Sequence, residues 1–358
     1  MNAVTEPPSL RTSSSRVHPT GQVHRGRLSV IWRPRAVIVG AVALATAFVL
    51  GVFVMGVGKI ELAPTEILSA LFGQADKRTT TVVVGIRLPR VVTAAAVGCA
   101  LGVAGAVFQS ISRNALGSPD VIGFTSGAAA GAAVQIVVLG PGLVATPVAA
   151  VVGGAVTAVI VYLLSRQRGT TGGYRIVLVG IGVGALADAL TRIVLVRGDI
   201  DRAVSAEVWL SGSLSSRSWS DALVVAIGLA SAWPIILWLG RPLALMEMGD
   251  ASARQLGVHV EATRGVLMLA GVVLTATAVA AAGPIAFIAL AAPQIAARLS
   301  ATDHPPLVTA GLTGAALLIG ADLLALHLPA GSRIPIGVVT GLLGGVYLIW
   351  LLTRGMRR

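Results

Sequence analysis

The chain has 358 residues, of which 55% are hydrophobic and only 12% charged, with a formal net charge of +12. Because soluble domains are about 25% charged, this composition excludes a water-soluble enzyme. The positive charge would suggest a nucleic-acid partner in a soluble protein, whereas in a membrane protein it is tested first against the positive-inside rule. The 43 glycines and the low aromatic content of 4% predict helices that pack closely through small side chains.

Ten apolar segments long enough for membrane helices follow one another along the chain. They cover about residues 36–57, 91–111, 120–140, 143–165, 176–196, 221–240, 264–282, 284–299, 306–328 and 335–353. An even number of spans places both termini on the same side. Of the 27 Lys and Arg residues, 17 fall on the side of the termini and nine on the other. The positive-inside rule therefore predicts that both termini are cytoplasmic.

Residues 1–35 differ from the rest of the chain in composition. They contain Pro, Ser, Thr and six arginines, with little periodic apolar content. This pattern predicts a disordered basic tail that orients the chain beside anionic lipid. Residues 36–358 are then predicted to form one all-α integral membrane domain. The single cysteine, Cys99, excludes an internal disulfide.

Sequence patterns of common catalytic and metal sites are missing from the chain. It contains no H-E-x-x-H, G-x-x-x-x-G-K-[ST] or G-x-S-x-G motif, and its five histidines lack the spacing of metal ligands. We therefore predict no catalytic residue, no metal and no cofactor in this chain. If transport is driven by ATP, another polypeptide must bind ATP and Mg²⁺.

Only three Asp, Glu, Lys, Arg or His residues lie well inside the predicted spans rather than at their ends, namely Asp188, Arg192 and Asp322. Asp188 and Arg192 are four residues apart, so we expect them to neutralise each other on one helix face. A proton-coupled carrier would need a chain of acidic residues within the membrane, and the sequence has none. A stand-alone secondary transporter is therefore the less favoured alternative.

The cytoplasmic loop at about 241–263 is unusually long and charged. Asp250 is suited to begin a short helix, Asp250 and Arg254 have the spacing of a helical ion pair, and Gly257 suits a left-handed C-cap. Such a helix would lie along the membrane and present a rigid element to a soluble partner. From the residues alone, a solvated connecting loop is an equal alternative.

Six short motifs stand in a characteristic order along the chain. They are RLPR at 87–90, GAVFQ at 105–109 with RNAL at 113–116, WLSGSL at 209–214, the loop 248–258, GPIAFI at 283–288 with PQ at 293–294, and IPIGVVTG at 334–341. Together they resemble the FecCD-type permeases, the membrane subunits of importers for iron–siderophore complexes, haem and cobalamin. The resemblance extends from about residue 60 to the C-terminus.

This resemblance implies a type II ABC importer permease fold of about ten transmembrane helices. Such permeases lie in the lipid of the cytoplasmic membrane as a homodimer or as a heterodimer of two related permeases. Two ATPase subunits dock on the cytoplasmic side, and an external substrate-binding protein delivers the ligand. The expected cargo is a ferric siderophore, with haem or cobalamin as alternatives, and no nucleic acid takes part.

The motif matches also imply three groups of functional residues. ATPase coupling is implied for seven residues of the loop: Gly249, Asp250, Ala251, Arg254, Gln255, Leu256 and Gly257. Docking of the binding protein is implied for three arginines at span mouths: Arg87, Arg90 and Arg333. A cytoplasmic gate is implied for four residues of two loops: Asn114, Leu116, Thr170 and Thr171. For Arg87 and Arg90, anchoring at the lipid surface is the alternative.

The chain departs from the family pattern at two places. The family often has an arginine shortly after the Ala321-Asp322 pair and a glutamate before the following Leu-Pro-Ile/Val-Gly run, where this chain has Leu326 and Arg333. The second docking charge is therefore either lost or displaced to Arg333. In the gate motif, Ala115 replaces the usual proline.

Overall fold

The computed structural model describes residues 21–25, 28–32, 34–58, 60–167, 170–302, 306–328 and 334–355. Fifteen α-helices make up most of these residues. The first eight are α1 (Pro34–Gly56), α2 (Pro64–Leu71), α3 (Lys77–Val82), α4 (Leu88–Ser112), α5 (Phe124–Val134), α6 (Ala145–Ser165), α7 (Gly173–Arg197) and α8 (Ile200–Leu210). The other seven are α9 (Trp219–Trp238), α10 (Gly240–Glu247), α11 (Asp250–Gln255), α12 (Val260–Ala282), α13 (Ile288–Ser300), α14 (Leu307–His327) and α15 (Ile336–Gly355).

Shorter elements complete the described secondary structure. Two π-helical segments, Val83–Arg87 and Gln135–Leu139, precede α4 and extend α5. Four strands form two antiparallel pairs: β1 (Gly21–Arg25) with β2 (Leu28–Trp32), and β3 (Arg166–Gln167) with β4 (Thr170–Thr171). The first pair lies within the segment predicted to be a disordered tail, and it gives those residues regular structure that the prediction lacked. Valine, isoleucine and tryptophan in β2 favour a strand.

Seven helical stretches among the described residues are long and apolar enough to cross a membrane. They are α1, the stretch Lys77–Ser112, α6, α7, α9, α12 and α14. The three other predicted spans coincide with shorter helical stretches, namely the apolar stretches Phe124–Leu139 and Ile336–Trp350 and the 13-residue helix α13. Each apolar segment marked in the sequence therefore contains a helix, and the chain is a multi-pass membrane protein.

The break between α12 and α13 is wider than predicted. α12 ends where Gly283 adopts a φ of 74° and Pro284 lacks a backbone donor. Phe287 also has a positive φ, 69°, and the helix resumes only at Ile288. The predicted span at 284–299 therefore contains a short helix preceded by an irregular stretch.

α4 lies at the centre of the bundle, where it contacts α9, α12, α13 and α14. Its glycines allow a close approach of backbones. A β-carbon at Gly98 would lie 2.4 Å from the carbonyl oxygen of Gly314, and one at Gly102 would lie 2.4 Å from that of Ala310. The face formed by these two glycines therefore packs against α14, as the spacing of small residues predicts.

Hydrogen bonds and ion pairs in and beside the connecting segments show which of these segments lie at the same end of the bundle. Near α11, at what we call the α11 end, the joined pairs are Arg35–Leu299, Arg113–Asp250 and Gln294–Ala115. At the opposite end, the joined pairs are Arg87–Ile60, Trp219–Val84, Ser213–Ala282 and Gly337–Ser211. The segments at each end are those that the alternation of spans predicts to share a side.

Candidate functional site

α11 is a short helix at the place where the sequence predicts a coupling element. It begins at Asp250, directly after Gly249, whose φ of 116° turns the chain out of α10. It is followed by Gly257 with a φ of 84°, whose backbone N–H donates to the carbonyl of Arg254 at 3.0 Å. The predicted helix start at Asp250 and the left-handed C-cap at Gly257 are therefore confirmed.

One face of α11 packs on the protein and the other is exposed. Ala253 is fully buried in a cluster with Met246 and Val260, which fixes the helix against α10 and α12. Of the residues predicted to couple to an ATPase, those exposed are Ala251, Arg254, Gln255, Leu256 and Gly257. Leu256, with 60% of its surface exposed, is an apolar residue on this otherwise mainly polar face.

The ion pairs around α11 differ from the predicted one. Arg254, the expected partner of Asp250, instead lies with its Nη2 3.7 Å from Oε1 of Glu261. Both carboxylate oxygens of Asp250 accept hydrogen bonds from Nη2 of Arg264, each at 2.9 Å. The prediction of an Asp250–Arg254 pair is therefore wrong. Arg264 takes that place because its guanidinium is buried on α12 and requires a charged partner.

The two segments predicted to form the gate lie at the α11 end. The side chain of Asn114 accepts a hydrogen bond from the backbone N–H of Leu116 at 2.9 Å, and Leu116 is half exposed. Thr170–Thr171 form β4, but their side chains lie outside the described part. Just after β4, a β-carbon at Gly173 would lie 2.8 Å from the carbonyl oxygen of Ile111, so this segment packs on the last turn of α4. Closure of a gate by these segments stays a prediction.

At the end opposite α11, Arg87 forms hydrogen bonds within the protein. Its guanidinium donates hydrogen bonds to the carbonyl oxygens of Met55, at the end of α1, and of Ile60. These bonds satisfy a helix C-terminus and fix the connection between α1 and α2. Arg333 lies outside the described residues. Docking of a binding protein through either arginine stays a prediction.

Arg90 has a partner that sequence reasoning missed. Its Nε and Nη2 donate to the two carboxylate oxygens of Asp322 at 2.9 and 2.7 Å, and Asp322 is only 1% exposed. The available signal was the acid itself, because a carboxylate inside an apolar span needs a cation. A cation at the mouth of a neighbouring span can supply that charge.

Asp188 and Arg192 lie on the exposed side of α7. The expected pair between them is not among the ion pairs of the described residues. A β-carbon at Gly182, also exposed on α7, would meet no atom within 4 Å. Because an ionisable residue at the centre of a span costs about 2.5–3.5 kcal/mol in lipid, we expect this face to meet water or another protein surface.

Comparisons with known proteins find the family that the sequence motifs resemble. The model of the FecCD transport family matches residues 43–354. The chain is 42% identical to the ferric enterobactin transport system permease protein FepG of Escherichia coli (strain K12), over 92% of this chain and 100% of that protein. It is 35% identical to the iron(3+)-hydroxamate import system permease protein FhuG of Bacillus subtilis (strain 168), over 87% and 97%. It is 37% identical to the hemin transport system permease protein HmuU of Yersinia pestis, over 75% and 82%.

A solved structure supports the same conclusion at the level of the fold. A metal-chelate type ABC transporter in an inward-facing conformation superposes with a TM-score of 0.77 at 26% identity, over 89% of this chain and 99% of that chain. The all-α membrane fold predicted from the sequence is therefore confirmed. This chain belongs to the FecCD transport family.

Proposed function

We propose that this chain is the membrane-spanning subunit of an ATP-driven importer that carries a ferric siderophore into the cytoplasm. A partner ATPase binds ATP and Mg²⁺, and an external substrate-binding protein supplies the ligand. The observation that supports this most is the exposed face of α11, in a chain that matches a ferric enterobactin transport system permease over 92% of its own residues.

The proposed topology has ten spans with both termini and α11 on the cytoplasmic side. The short stretch Phe124–Leu139, α13 and α15 complete the count beyond the seven long stretches. The excess of basic residues on the side of the termini supports this orientation. A second permease copy, identical or related, stands opposite the exposed face of α7 across a water-filled pathway, which accounts for ionisable groups on a membrane helix.

Docking of the loaded binding protein takes place at the end opposite α11. Arg333 is the proposed docking cation there, while Arg87 and Arg90 support the same surface from within through their bonds to Ile60 and Asp322. Rim charges of this kind steer an acidic partner and set its register more than its affinity.

The proposed cargo follows the substrates named for the relatives. Two of them are permeases for ferric enterobactin and iron(3+)-hydroxamate, whereas the hemin permease has 37% identity over a smaller share of both chains. A ferric siderophore is therefore the first candidate. Haem is the second candidate because a hemin permease is also among the relatives.

Uptake of ⁵⁵Fe in cells deleted for the gene tests this function. Cells receive ⁵⁵Fe bound to a catecholate siderophore, a hydroxamate siderophore or haem, with and without a plasmid copy of the parent chain. We expect the parent to restore uptake of at least one siderophore and not of haem, and collapse of cellular ATP to abolish it. Restored uptake of haem alone, or uptake that survives ATP depletion, would contradict the proposal.

A further inference from the structure

The carboxylate of Asp250 is shared by two arginines from different helices. Nη2 of Arg264, near the start of α12, bonds both of its oxygens at 2.9 Å, and Nη2 of Arg113, just after α4, lies 3.9 Å from Oδ1. The first residue of α11 therefore joins α12 to the segment that leads from α4 towards α5. We call residues 113–116 the α4 exit segment.

The two interactions differ in strength. Arg264 is 1% exposed, and its Nη1 also bonds Oε1 of Glu261 at 3.0 Å. Its pair with Asp250 is therefore short, and the bond to Glu261 holds the guanidinium in place. Arg113 has 41% of its side chain exposed and approaches Asp250 at a longer distance. Because solvent screens exposed pairs and leaves them weak, the contact of Arg113 can break and re-form while the pair with Arg264 stays intact.

The position of Arg113 is fixed by the backbone around it. Its φ of 51° turns the chain at the end of α4, and its N–H donates to the carbonyl of Ser110 at 3.2 Å. Its Nη1 lies 3.7 Å from the point where a β-carbon at Gly249 would stand. The guanidinium therefore lies over the turn that enters α11, within ordinary contact distance of Gly249.

On its other side, the α4 exit segment is tied to α13. Nε2 of Gln294 donates to the carbonyl oxygen of Ala115 at 2.6 Å, and Gln294 is 7% exposed. The segment thus lies between a buried amide on α13 and an exposed ion pair to α11. Of these two attachments, the ion pair between Arg113 and Asp250 on α11 is the weaker one.

We propose that Arg113 is a positioning residue that transmits movements of α11 to the α4 exit segment, with Asp250 as the point of attachment. This inference rests on the proposed function, because it requires a partner ATPase that displaces α11. When α11 moves with α12 as one unit, the Arg113–Asp250 contact either pulls the exit segment along or breaks. It acts as a reversible link between two packings that are close in free energy.

The test uses the whole transporter, with the partner ATPase and loaded binding protein, reconstituted in proteoliposomes. Three quantities are measured: basal ATP hydrolysis, its stimulation by the loaded binding protein, and ligand imported per ATP. In Arg113→Gln we expect basal hydrolysis and ATPase co-purification to match the parent. Imported ligand per ATP should fall about three- to fivefold, the range that loss of one exposed ion pair of up to about 1 kcal/mol allows.

Two further variants make this outcome specific. Arg113→Lys keeps the charge and should recover most of the parental ratio of ligand to ATP. Arg35→Gln removes an exposed arginine at the same end, one that bonds Leu299 rather than the exit segment, and should keep the parental ratio. A parental ratio in Arg113→Gln, or an equal loss in Arg35→Gln, would overturn the role of Arg113. Failure of the parent itself to import any ligand would instead contradict the proposed function.

Discussion

Arg90 and Asp322 form a two-pronged ion pair between the first turn of α4 and the last third of α14, with N–O distances of 2.9 and 2.7 Å. Asp322 is buried, whereas the Arg90 side chain is 22% exposed. The pair therefore joins the two helices that make the most extensive contact in the bundle. It also occupies the guanidinium that motif resemblance assigns to docking.

Removing one partner of this pair should destabilise the permease. Asp322→Asn leaves the guanidinium of Arg90 without its counter-charge in a largely buried position, and breaking a buried pair costs about 3 kcal/mol or more. Replacing both partners by apolar residues, as in Arg90→Met with Asp322→Leu, should recover most of that loss. Thermal unfolding of the detergent-solubilised protein measures both effects.

The matched control is Asp201→Asn, which neutralises an exposed acid near the same end. Surface substitutions of this kind stay within about 0.5 kcal/mol of the parent. A structural role for the pair is contradicted if Asp322→Asn unfolds at the parental temperature. It is also contradicted if the double variant is no more stable than the single one.

The positions of the long apolar helices could be predicted from the sequence because hydropathy marks them. Each of the ten apolar segments contains a helix, and the predicted ends of α11 follow from Asp250 and Gly257. These features depend on local rules of burial and capping, which do not require knowledge of distant neighbours.

The ion pairs could not be predicted in the same way. Sequence spacing favoured Asp250 with Arg254, and Asp188 with Arg192, since residues four apart share a helix face. The fold instead brings Arg264 to Asp250 and Arg90, 232 residues away in the chain, to Asp322. Tertiary packing determines which charges are buried, and a buried charge requires the partner that lies nearest in space.

Close backbone contact of α4 with α13 makes Gly105 intolerant of a side chain. A β-carbon there would lie 1.7 Å from the carbonyl oxygen of Ala289, so the two helices must move apart. We expect Gly105→Ala to lower the free energy of unfolding by about 1–3 kcal/mol, the usual cost of overpacking. Gly320→Ala is the control, because its β-carbon would make only an ordinary 3.4 Å contact with Leu50. Equal thermal stability of the two variants would contradict this packing.

The exposed face of α7 should be accessible to water-soluble reagents in the assembled transporter. Ala185 lies on this face, three residues before Asp188. In a Cys99→Ala background, we expect Ala185→Cys to react with a charged, membrane-impermeant thiosulfonate at least about tenfold faster than Phe48→Cys on the exposed face of α1. The difference follows from the cost of about 2.5 kcal/mol or more for a charge in lipid. Equal labelling rates at the two positions would place both faces in the same environment.

The end of α11 should be sensitive to any residue that cannot adopt a left-handed conformation. Gly257 has a φ of 84°, which costs a β-branched residue about 1–2 kcal/mol or more. Gly257→Val should therefore distort the exposed face, weaken co-purification of the ATPase and abolish uptake, while the permease stays in the membrane. Gly257→Asn is the matched control, since asparagine tolerates this conformation.

Charge reversal in Arg254→Glu should act in the same direction as Gly257→Val. Normal uptake in both Gly257→Val and Arg254→Glu would contradict the coupling role of α11.

Capture of the loaded binding protein should depend on a few placed charges at the opposite end. The segments predicted to lie outside contain nine basic and seven acidic residues, so they have no broad positive field. Because Arg87 and Arg90 form hydrogen bonds within the chain, Arg333 is the proposed cation for an acidic partner.

Arg333→Glu should slow association of the binding protein with the permease in nanodiscs. It should also make this association less sensitive to salt, since exposed charges are screened over about 8 Å at physiological ionic strength. Arg78→Glu, at an exposed position of α3, serves as the control for a general change in charge. If Arg333→Glu binds with the parental rate and salt dependence, or if Arg78→Glu slows association equally, Arg333 is not a docking residue.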